Sequence, residues 1–151
     1  MTALAAHVQR RQMGDEISLN PYRIKDDAII FNGGMVSLTS TGLAVAASDA
    51  ASQKFAGIAY RGGIDNTNGG DGVQTSPLVN ARNVDVVTVG RWSFAVNGAT
   101  PVARNTALIY DDNTVSADAT SNNVKCGVFV CPDTLTPGNW FVDIEPAKIA
   151  A

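Results

Sequence analysis

Short apolar stretches alternate with turn-forming residues from Ala28 onward. In the stretch 83–96, alternate positions such as Trp92 and Phe94 are apolar, and the positions between them include charged and polar residues. A period of two is typical of a half-buried β-strand. Gly90 lies inside this stretch and predicts a bulge or a bend, so the stretch is either one long strand or a bent pair.

The same pattern predicts about nine short strands with a turn signal roughly every ten residues, which is typical of an antiparallel sandwich or barrel. Asn32-Gly33 and Asp111-Asp112-Asn113 predict tight hairpin turns. The predicted core residues are Phe31, Trp92, Phe94, Phe129 and Trp140. The predicted strands are 28–31, 35–38, 43–46, 55–60, 83–96, 107–110, 114–117, 124–130 and 139–144.

The first 27 residues lack strand periodicity, and the sequence Asn20-Pro21-Tyr22 ends any helix that precedes it. We therefore divide the chain into an extended N-terminal arm (residues 1–27) and a single β domain (residues 28–151). An ordered arm and a frayed terminus both fit this pattern. Arg10-Arg11 is interpreted as a solvated element of the arm. Removal of residues 1–20 is expected to leave the β domain folded.

Composition narrows the class of protein. The 151 residues suit one domain that buries a core without disulfides, and 45% of them are hydrophobic while 17% are charged. The net charge of -3 and the scattered basic residues argue against a nucleic-acid partner. No apolar run approaches the roughly 20 residues that span a bilayer, and the N-terminus is a poor signal peptide. We expect synthesis in a cytoplasm without export and no membrane partner.

Candidate metal and disulfide chemistry is sparse. Cys126 and Cys131 are five positions apart on one predicted strand, so they point to opposite faces and are interpreted as buried free thiols. His7 is the single histidine and lies far from both of them. The stretch 65–72 resembles a calcium loop, but counting from Asp65 places the wrong residues at the ligand positions, which favours a cluster of Asx turns.

Candidate catalytic groups are equally few. Asp111 and Asp112 are adjacent at a predicted hairpin tip and are interpreted as solvated turn formers. A Ser-His-Asp arrangement would have to recruit His7 from the arm, and Gly-Gly-Asp-Gly at 69–72 lacks the Lys-Ser/Thr of a phosphate loop. We therefore predict that the chain is not an enzyme. We predict no catalytic, cofactor-binding or metal-binding residues and no cofactor.

Several strand-and-turn sequences occur in an order that resembles a known family. They are Gly34–Leu38, Gly42–Val45, Phe55–Ala59, Ile64–Asn66, Gly70–Gly72, Val86–Phe94, Tyr110–Val115, Asn123–Val128 and Trp140–Ile144. In this order, over about residues 28–145, they resemble the capsid decoration (cement) proteins of tailed bacteriophages. The arm departs from the shortest members of that family.

The resemblance implies a β-tulip-like or barrel-like domain that forms a homotrimer on the outer surface of the phage capsid. There it would bind the major capsid protein and stabilise contacts between neighbouring capsid subunits. The expected location is the virion, and the expected partners include no small-molecule substrate. The resemblance carries over no catalytic residues.

Two other functions remain open at this point. A carbohydrate- or receptor-binding β module, such as a head fibre or an adhesin, would need an exposed aromatic platform at Trp92, Trp140 or Tyr60. Period-two placement beside valines favours the core for these rings instead. A hydrolytic enzyme would depend on His7.

Overall fold

The computed structural model describes residues 3–14, 17–60, 64–67, 70, 83–120, 122 and 124–144. These residues form thirteen β-strands and no helix. The strands are β1 (Gln12–Met13), β2 (Leu19–Arg23), β3 (Ile29–Ile30), β4 (Met35–Leu38), β5 (Ala44–Ala46), β6 (Lys54–Ala59), β7 (Ile64–Asp65), β8 (Asn83–Val87), β9 (Arg91–Asn97), β10 (Thr106–Ile109), β11 (Thr114–Ser116), β12 (Lys125–Pro132) and β13 (Trp140–Asp143).

The predicted all-β fold class is confirmed. The long stretch 83–96 divides into β8 and β9, and Gly90 between them has a φ of 106°, a conformation that residues with a Cβ rarely adopt. The bent pair, rather than one long strand, is therefore the outcome. The strand predicted at 28–31 shortens to Ile29–Ile30.

Five strands pair in a closed circuit, in the order β9, β11, β10, β12, β13 and back to β9. The β9 strand contacts β13 along Arg91–Phe94 on one edge and β11 along Ala95–Asn97 on the other. The remaining part of that second edge pairs with β1. The circuit is antiparallel except for β9 and β11, which run parallel. This closed arrangement is barrel-like, and the parallel pair is a local departure from the predicted antiparallel pattern.

A second sheet has the order β2-β8-β6-β4-β5. A parallel bridge between Ile24, which follows β2, and Ala44 of β5 brings the two ends of this sheet together. The short strands β3 and β7 form a separate antiparallel pair. The strand order thus joins distant parts of the sequence, since β2 pairs with β8 rather than with a neighbour in the chain.

One predicted hairpin is wrong and another is confirmed. Asn32-Gly33 does not join two paired strands, because β3 pairs with β7 while β4 pairs with β5 and β6. Gly33 has the expected positive φ, 81°, but uses it in a turn that receives another segment of the chain. The hairpin over 110–113 does form, with Ile109 opposite Val115 in the β10–β11 pair.

The N-terminal 27 residues contain two of the strands, β1 and β2, although their sequence lacks strand periodicity. Pro21 lies in β2, opposite Asp85 of β8. Its strand is at the end of the sheet order, where a residue without an N–H is tolerated. Deleting residues 1–20 would therefore remove β1 and part of β2. The division at residue 27 stays a prediction.

Two apolar clusters form the core. One contains Trp92, Phe94 and Phe129, which confirms three of the predicted core residues. Trp140 and Phe31 are only partly buried, and Trp140 packs edge-on against Phe129 with ring centroids 5.9 Å apart. Burial of each large side chain contributes roughly 1.5–3 kcal/mol. The second cluster consists of Ile24, Ile30, Val36, Ala44, Ala56, Ala59, Val84 and Val86.

Candidate functional site

The segment 3–13, which we call the docked segment, contacts β9, the Asn32-Gly33 turn and the hairpin tip at Asp112-Asn113. Its last residues form β1, in which Gln12 is opposite Trp92 of β9. Just before β1, the Ser93 N–H donates a hydrogen bond to the Arg11 carbonyl oxygen (2.9 Å). The docked segment therefore adds backbone hydrogen bonds to the part of β9 that β11 does not reach.

The Asn32-Gly33 turn receives the middle of the docked segment. The Val8 N–H donates to the Asn32 carbonyl oxygen (2.9 Å), and the Asn32 N–H donates to His7 Nδ1 (3.0 Å). A Cβ on Gly33 would lie 2.5 Å from the Val8 carbonyl oxygen, which is too close for any side chain. Glycine is required here both for the positive φ and for the close approach of the two chains.

Arg10 fastens the docked segment to three separate elements. Its Nε donates to the Gly33 carbonyl oxygen (2.6 Å), its Nη1 to the Ser93 carbonyl oxygen (2.7 Å) and its Nη2 to Asn113 Oδ1 (2.9 Å). The guanidinium carbon lies 4.3 Å from the centre of the Phe94 ring, a cation–π contact. The interpretation of Arg10 as a solvated residue of the arm is wrong, because the fork of donors is used inside the fold.

Burial and the nearby groups of opposite charge act in opposite directions on the pKa values of Arg10 and Asp112. Burial lowers the pKa of the Arg10 guanidinium to about 10, although the nearby carboxylates of Asp112 and Asp111 oppose the change. Arg10 therefore remains protonated at neutral pH. Burial likewise raises the pKa of Asp112, while the hydrogen bond from the Leu4 N–H and the Arg10 charge work in the opposite direction.

The two adjacent aspartates of the hairpin tip have different environments. Asp111 Oδ1 accepts a hydrogen bond from the Asn113 N–H (2.8 Å), which is the Asx turn expected of a turn former. Asp112 is 4% exposed, so its interpretation as a solvated residue is wrong. Its Oδ1 accepts from the Leu4 N–H (2.8 Å) and its carbonyl oxygen from the Met35 N–H (2.7 Å). Asp112 thus connects the docked segment to the start of β4.

A second anchor follows directly at Arg11, whose Nε lies 3.2 Å from Asp133 Oδ2. Burial favours the neutral form of the Asp133 carboxyl, but hydrogen bonds from the Ser93 hydroxyl (2.7 Å) and the Leu135 N–H (3.1 Å), together with the Arg11 charge, lower its pKa. Asp133 was not singled out from the sequence. Its position after Pro132 gives a turn signal, but nothing in the pattern indicates that it receives the arm.

A cleft of about 470 Å³ lies between the docked segment and the body of the protein. Its apolar and aromatic lining includes Val8, Ile17, Tyr60 and Trp92. The buried side-chain oxygen of Asn32, which also lines the cleft, has no hydrogen-bond partner among the described residues. The arm therefore leaves a partly apolar recess beneath it rather than a filled contact.

The candidate reactive residues are dispersed. His7 is exposed on the docked segment, where its ring packs edge-on against Phe31 with centroids 5.6 Å apart. Cys126 and Cys131 are free thiols, as predicted. Cys126 is fully buried, its Sγ donates to the Ala107 carbonyl oxygen (3.4 Å), and burial raises the pKa of the thiol. Cys131 is only partly buried, which differs from the prediction.

The calcium-like stretch is described only in part, since residues 68, 69, 71 and 72 lie outside the described residues. In the described part, Asp65 Oδ1 accepts hydrogen bonds from the N–H and the hydroxyl of Thr67 (2.9 and 2.5 Å). The Asn66 side-chain amide donates to the carbonyl oxygens of Lys25 and Gly70. The contact of Asp65 with the Thr67 N–H is an Asx turn of the kind that the sequence favours, whereas the Asn66 amide joins the loop to Lys25. Nowhere in the described part of the chain do three or more His, Cys, Asp or Glu side chains gather in a way that could hold a metal ion.

The aromatic residues considered as platforms do not form one. Trp92 is 5% exposed, and its indole N–H donates to the Val89 carbonyl oxygen (2.9 Å). Trp140 and Tyr60 are each partly buried against the core. Within the described ranges, no helix is long and apolar enough to cross a membrane.

No model of a known protein family matches this chain. No curated protein matches it either.

Proposed function

We propose that this chain is a structural virion protein, a decoration protein that binds the outside of a phage head as a homotrimer. It would stabilise contacts between neighbouring subunits of the major capsid protein. The proposal rests on the resemblance carried by the ordered strand-and-turn sequences and on the extended docked segment. In this function the protein works through its surface and is not an enzyme.

The docked segment is the observation that carries the proposal. It is an extended chain fastened on its inner side by Arg10 and Arg11, while Val8 and Met13 are each 37% exposed. The β1 strand stands at the end of its sheet order, so the edge facing away from β9 pairs with no described strand. An edge of this kind can accept an extended segment from a partner through backbone hydrogen bonds.

Exposed apolar side chains on the barrel supply a second contact surface. Leu135 is 73% exposed and lies on the loop that follows β12. Val102 is 62% exposed and lies on the loop between β9 and β10. The loop of Val102 is tied to β12 by a hydrogen bond from the Arg104 N–H to the Phe129 carbonyl oxygen (2.8 Å). A stable interface buries on the order of 1,000 Å² or more, and threefold repetition adds avidity to each contact.

Oligomeric state and particle composition test the proposal together. The purified chain should show the mass of three protomers in light scattering, and purified heads should contain it on their outer surface in multiples of three. Replacing Leu135 or Val102 with Asp should weaken the trimer or its attachment. Ile29→Asp is the matched control, because Ile29 is also an exposed apolar residue (42%) but belongs to β3. A monomer that is absent from purified heads would end the proposal.

A further inference from the structure

A second cleft, of about 640 Å³, opens where the end of β9 meets the loops that follow β5, β10 and β11. Its volume is within the range of roughly 300–1,000 Å³ that is typical of small-molecule sites. The residues that line it are Asp49, Asn97, Gly98, Ala99, Tyr110, Ser116, Ala117, Asp118 and Asn122. We call this the Tyr110 cleft. It shares no residue with the docked segment.

Tyr110 supplies the aromatic surface of the cleft. Its side chain is 42% exposed, which makes it one of the large apolar groups that the fold leaves in contact with water. The Tyr110 N–H donates to the Thr114 carbonyl oxygen (3.0 Å), so the ring projects from the base of a hydrogen-bonded hairpin. Among the described residues, no hydrogen bond to its hydroxyl group occurs. A rigid, solvent-facing tyrosine can stack against a flat apolar surface at a low entropic cost.

The polar wall of the cleft is preformed. Asn97 of β9 lies opposite Ser116 of β11 in the parallel ladder, which places two polar residues side by side. Asp118 Oδ1 accepts hydrogen bonds from the N–H and hydroxyl of Thr120 (2.9 and 2.6 Å). The Asn122 side-chain amide donates to the Asp118 carbonyl oxygen (2.9 Å). Because these hydrogen bonds hold the loop within the fold, little ordering is required for binding.

These groups select one class of ligand by their chemistry. A sugar ring has an apolar C–H face that stacks on an aromatic ring and a rim of hydroxyls that pair with amides and carboxylates. Asp49 and Asp118 are both among the lining residues, and acidic residues at the cleft disfavour an anionic sugar or a phosphate. We infer that the Tyr110 cleft binds a neutral saccharide of one to three rings. This inference does not rest on the decoration function.

Binding is tested with the isolated full-length chain by nuclear magnetic resonance. Maltotriose, chitotriose and lactose serve as neutral probes, and 3′-sialyllactose and adenosine monophosphate serve as anionic probes. At least one neutral probe should shift the amide signals of 97–99 and 116–118 with a Kd in the millimolar range or below. Each anionic probe should bind at least about tenfold more weakly, a difference equivalent to about 1.4 kcal/mol.

Variants connect the binding to the cleft. Tyr110→Ala should weaken binding of the neutral probe by about tenfold or more, whereas Tyr110→Phe, which keeps the ring, should retain most of it. Asn97→Ala provides a second test if Tyr110→Ala fails to fold. Ile29→Ala changes an exposed apolar residue of β3 that does not line the cleft and should leave the Kd unchanged.

Three results would overturn the inference. The first is no shift of any amide signal with any neutral probe at a concentration on the order of 20 mM, where binding would be weaker than specific recognition. The second is shifts confined to residues outside the cleft. The third is equal binding by the Tyr110→Ala variant. Because the assay contains no capsid, failure here leaves the decoration function intact, and failure to find the chain on heads leaves saccharide binding intact.

Discussion

Replacing Arg10 with Ala tests how the docked segment is held. The substitution removes three hydrogen bonds at once, leaving the carbonyl oxygens of Gly33 and Ser93 and the amide oxygen of Asn113 without this donor. It also removes the contact with the Phe94 ring. We expect the docked segment to detach from β9 and the free energy of unfolding to fall.

The magnitude follows from two opposing contributions. A hydrogen bond from a charged donor contributes about 1.5–3 kcal/mol, and three such bonds are lost. Against this loss, burial of the guanidinium charge is unfavourable, as the lowering of the Arg10 pKa to about 10 indicates, and truncation relieves that cost. When the docked segment detaches, water can also hydrogen-bond to the three acceptors that Arg10 leaves, which reduces the loss of stability further. The net decrease in the free energy of unfolding should be about 2–4 kcal/mol.

Urea unfolding at a fixed protein concentration measures the total effect, since the midpoint of an oligomer depends on concentration. Amide hydrogen exchange at Val8 and Ser93 reports on docking itself, because both N–H groups donate hydrogen bonds between the segment and the body. Both amides should lose protection in the Arg10→Ala variant. Arg10→Lys keeps the charge but loses the planar fork of donors, and should recover less than half of the lost stability.

Arg91→Ala is the matched control. Arg91 lies on β9, the strand that Arg10 contacts, but its Nε is 3.6 Å from Asp143 Oδ2 and both side chains are substantially exposed, so its ion pair contributes no more than about 1 kcal/mol. If Arg10→Ala and Arg91→Ala unfold at the same urea concentration, and the Ser93 amide keeps its protection, the reasoning about the buried guanidinium is refuted.

Three further predictions concern other contacts. Gly33→Ala should destabilise the protein by at least about 1 kcal/mol more than Gly42→Ala. Both glycines have a φ near 80°, but of the two only Gly33 contacts the docked segment so closely that there is no room for a Cβ. Equal urea midpoints for the two variants would contradict this prediction. The pKa of Asp133 is lowered in the folded protein, so its contribution to stability is present above the ordinary carboxyl pKa of about 3.9 and is lost as the pH falls through the lower folded value. The Asp133→Asn variant should therefore lose less stability between pH 5 and pH 2 than the unmodified protein. Identical pH profiles of stability for the two proteins would contradict the role of Asp133. A thiol reagent should label Cys131 in the native protein and label Cys126 only on unfolding, whereas simultaneous labelling in mass spectrometry would show that Cys126 is accessible.

Local patterns predicted most of the strands because the information lies within a few residues. Period-two alternation around Trp92 and Phe94 reflects one buried face of β9, and both residues are buried as expected. Gly90 predicted the bend between β8 and β9 because the positive φ at the bend depends on one residue.

The errors arise where distant residues decide the outcome. Asn32-Gly33 has the local chemistry of a hairpin turn, yet the close approach of Val8 gives that chemistry another use. Arg10 resembles a solvated residue because its three acceptors come from three elements far along the chain. The parallel pairing of β9 with β11 is also non-local, because turn signals specify neighbours only for strands joined by short turns.

The Tyr110 cleft was missed for a related reason. Its lining comes from four separate parts of the sequence, and none of them carries a recognisable motif. The sequence pattern does not show which aromatic rings are exposed, so it does not distinguish Tyr110 from Trp92, Trp140 and Tyr60. Only the fold shows that Tyr110, at the start of a polar hairpin tip, is the aromatic residue left facing solvent in this cleft.

The way β1 completes the uncovered part of β9 bears on how closely copies of the protein can be crowded. An unpaired strand edge invites identical molecules to join side by side, and this hazard grows with local concentration. Among the described residues, β1 (Gln12–Met13) covers the part of the β9 edge that β11 leaves unpaired. Detachment of β1 should expose that part of β9, so we expect variants that lose β1 to associate more readily at high concentration than the intact protein.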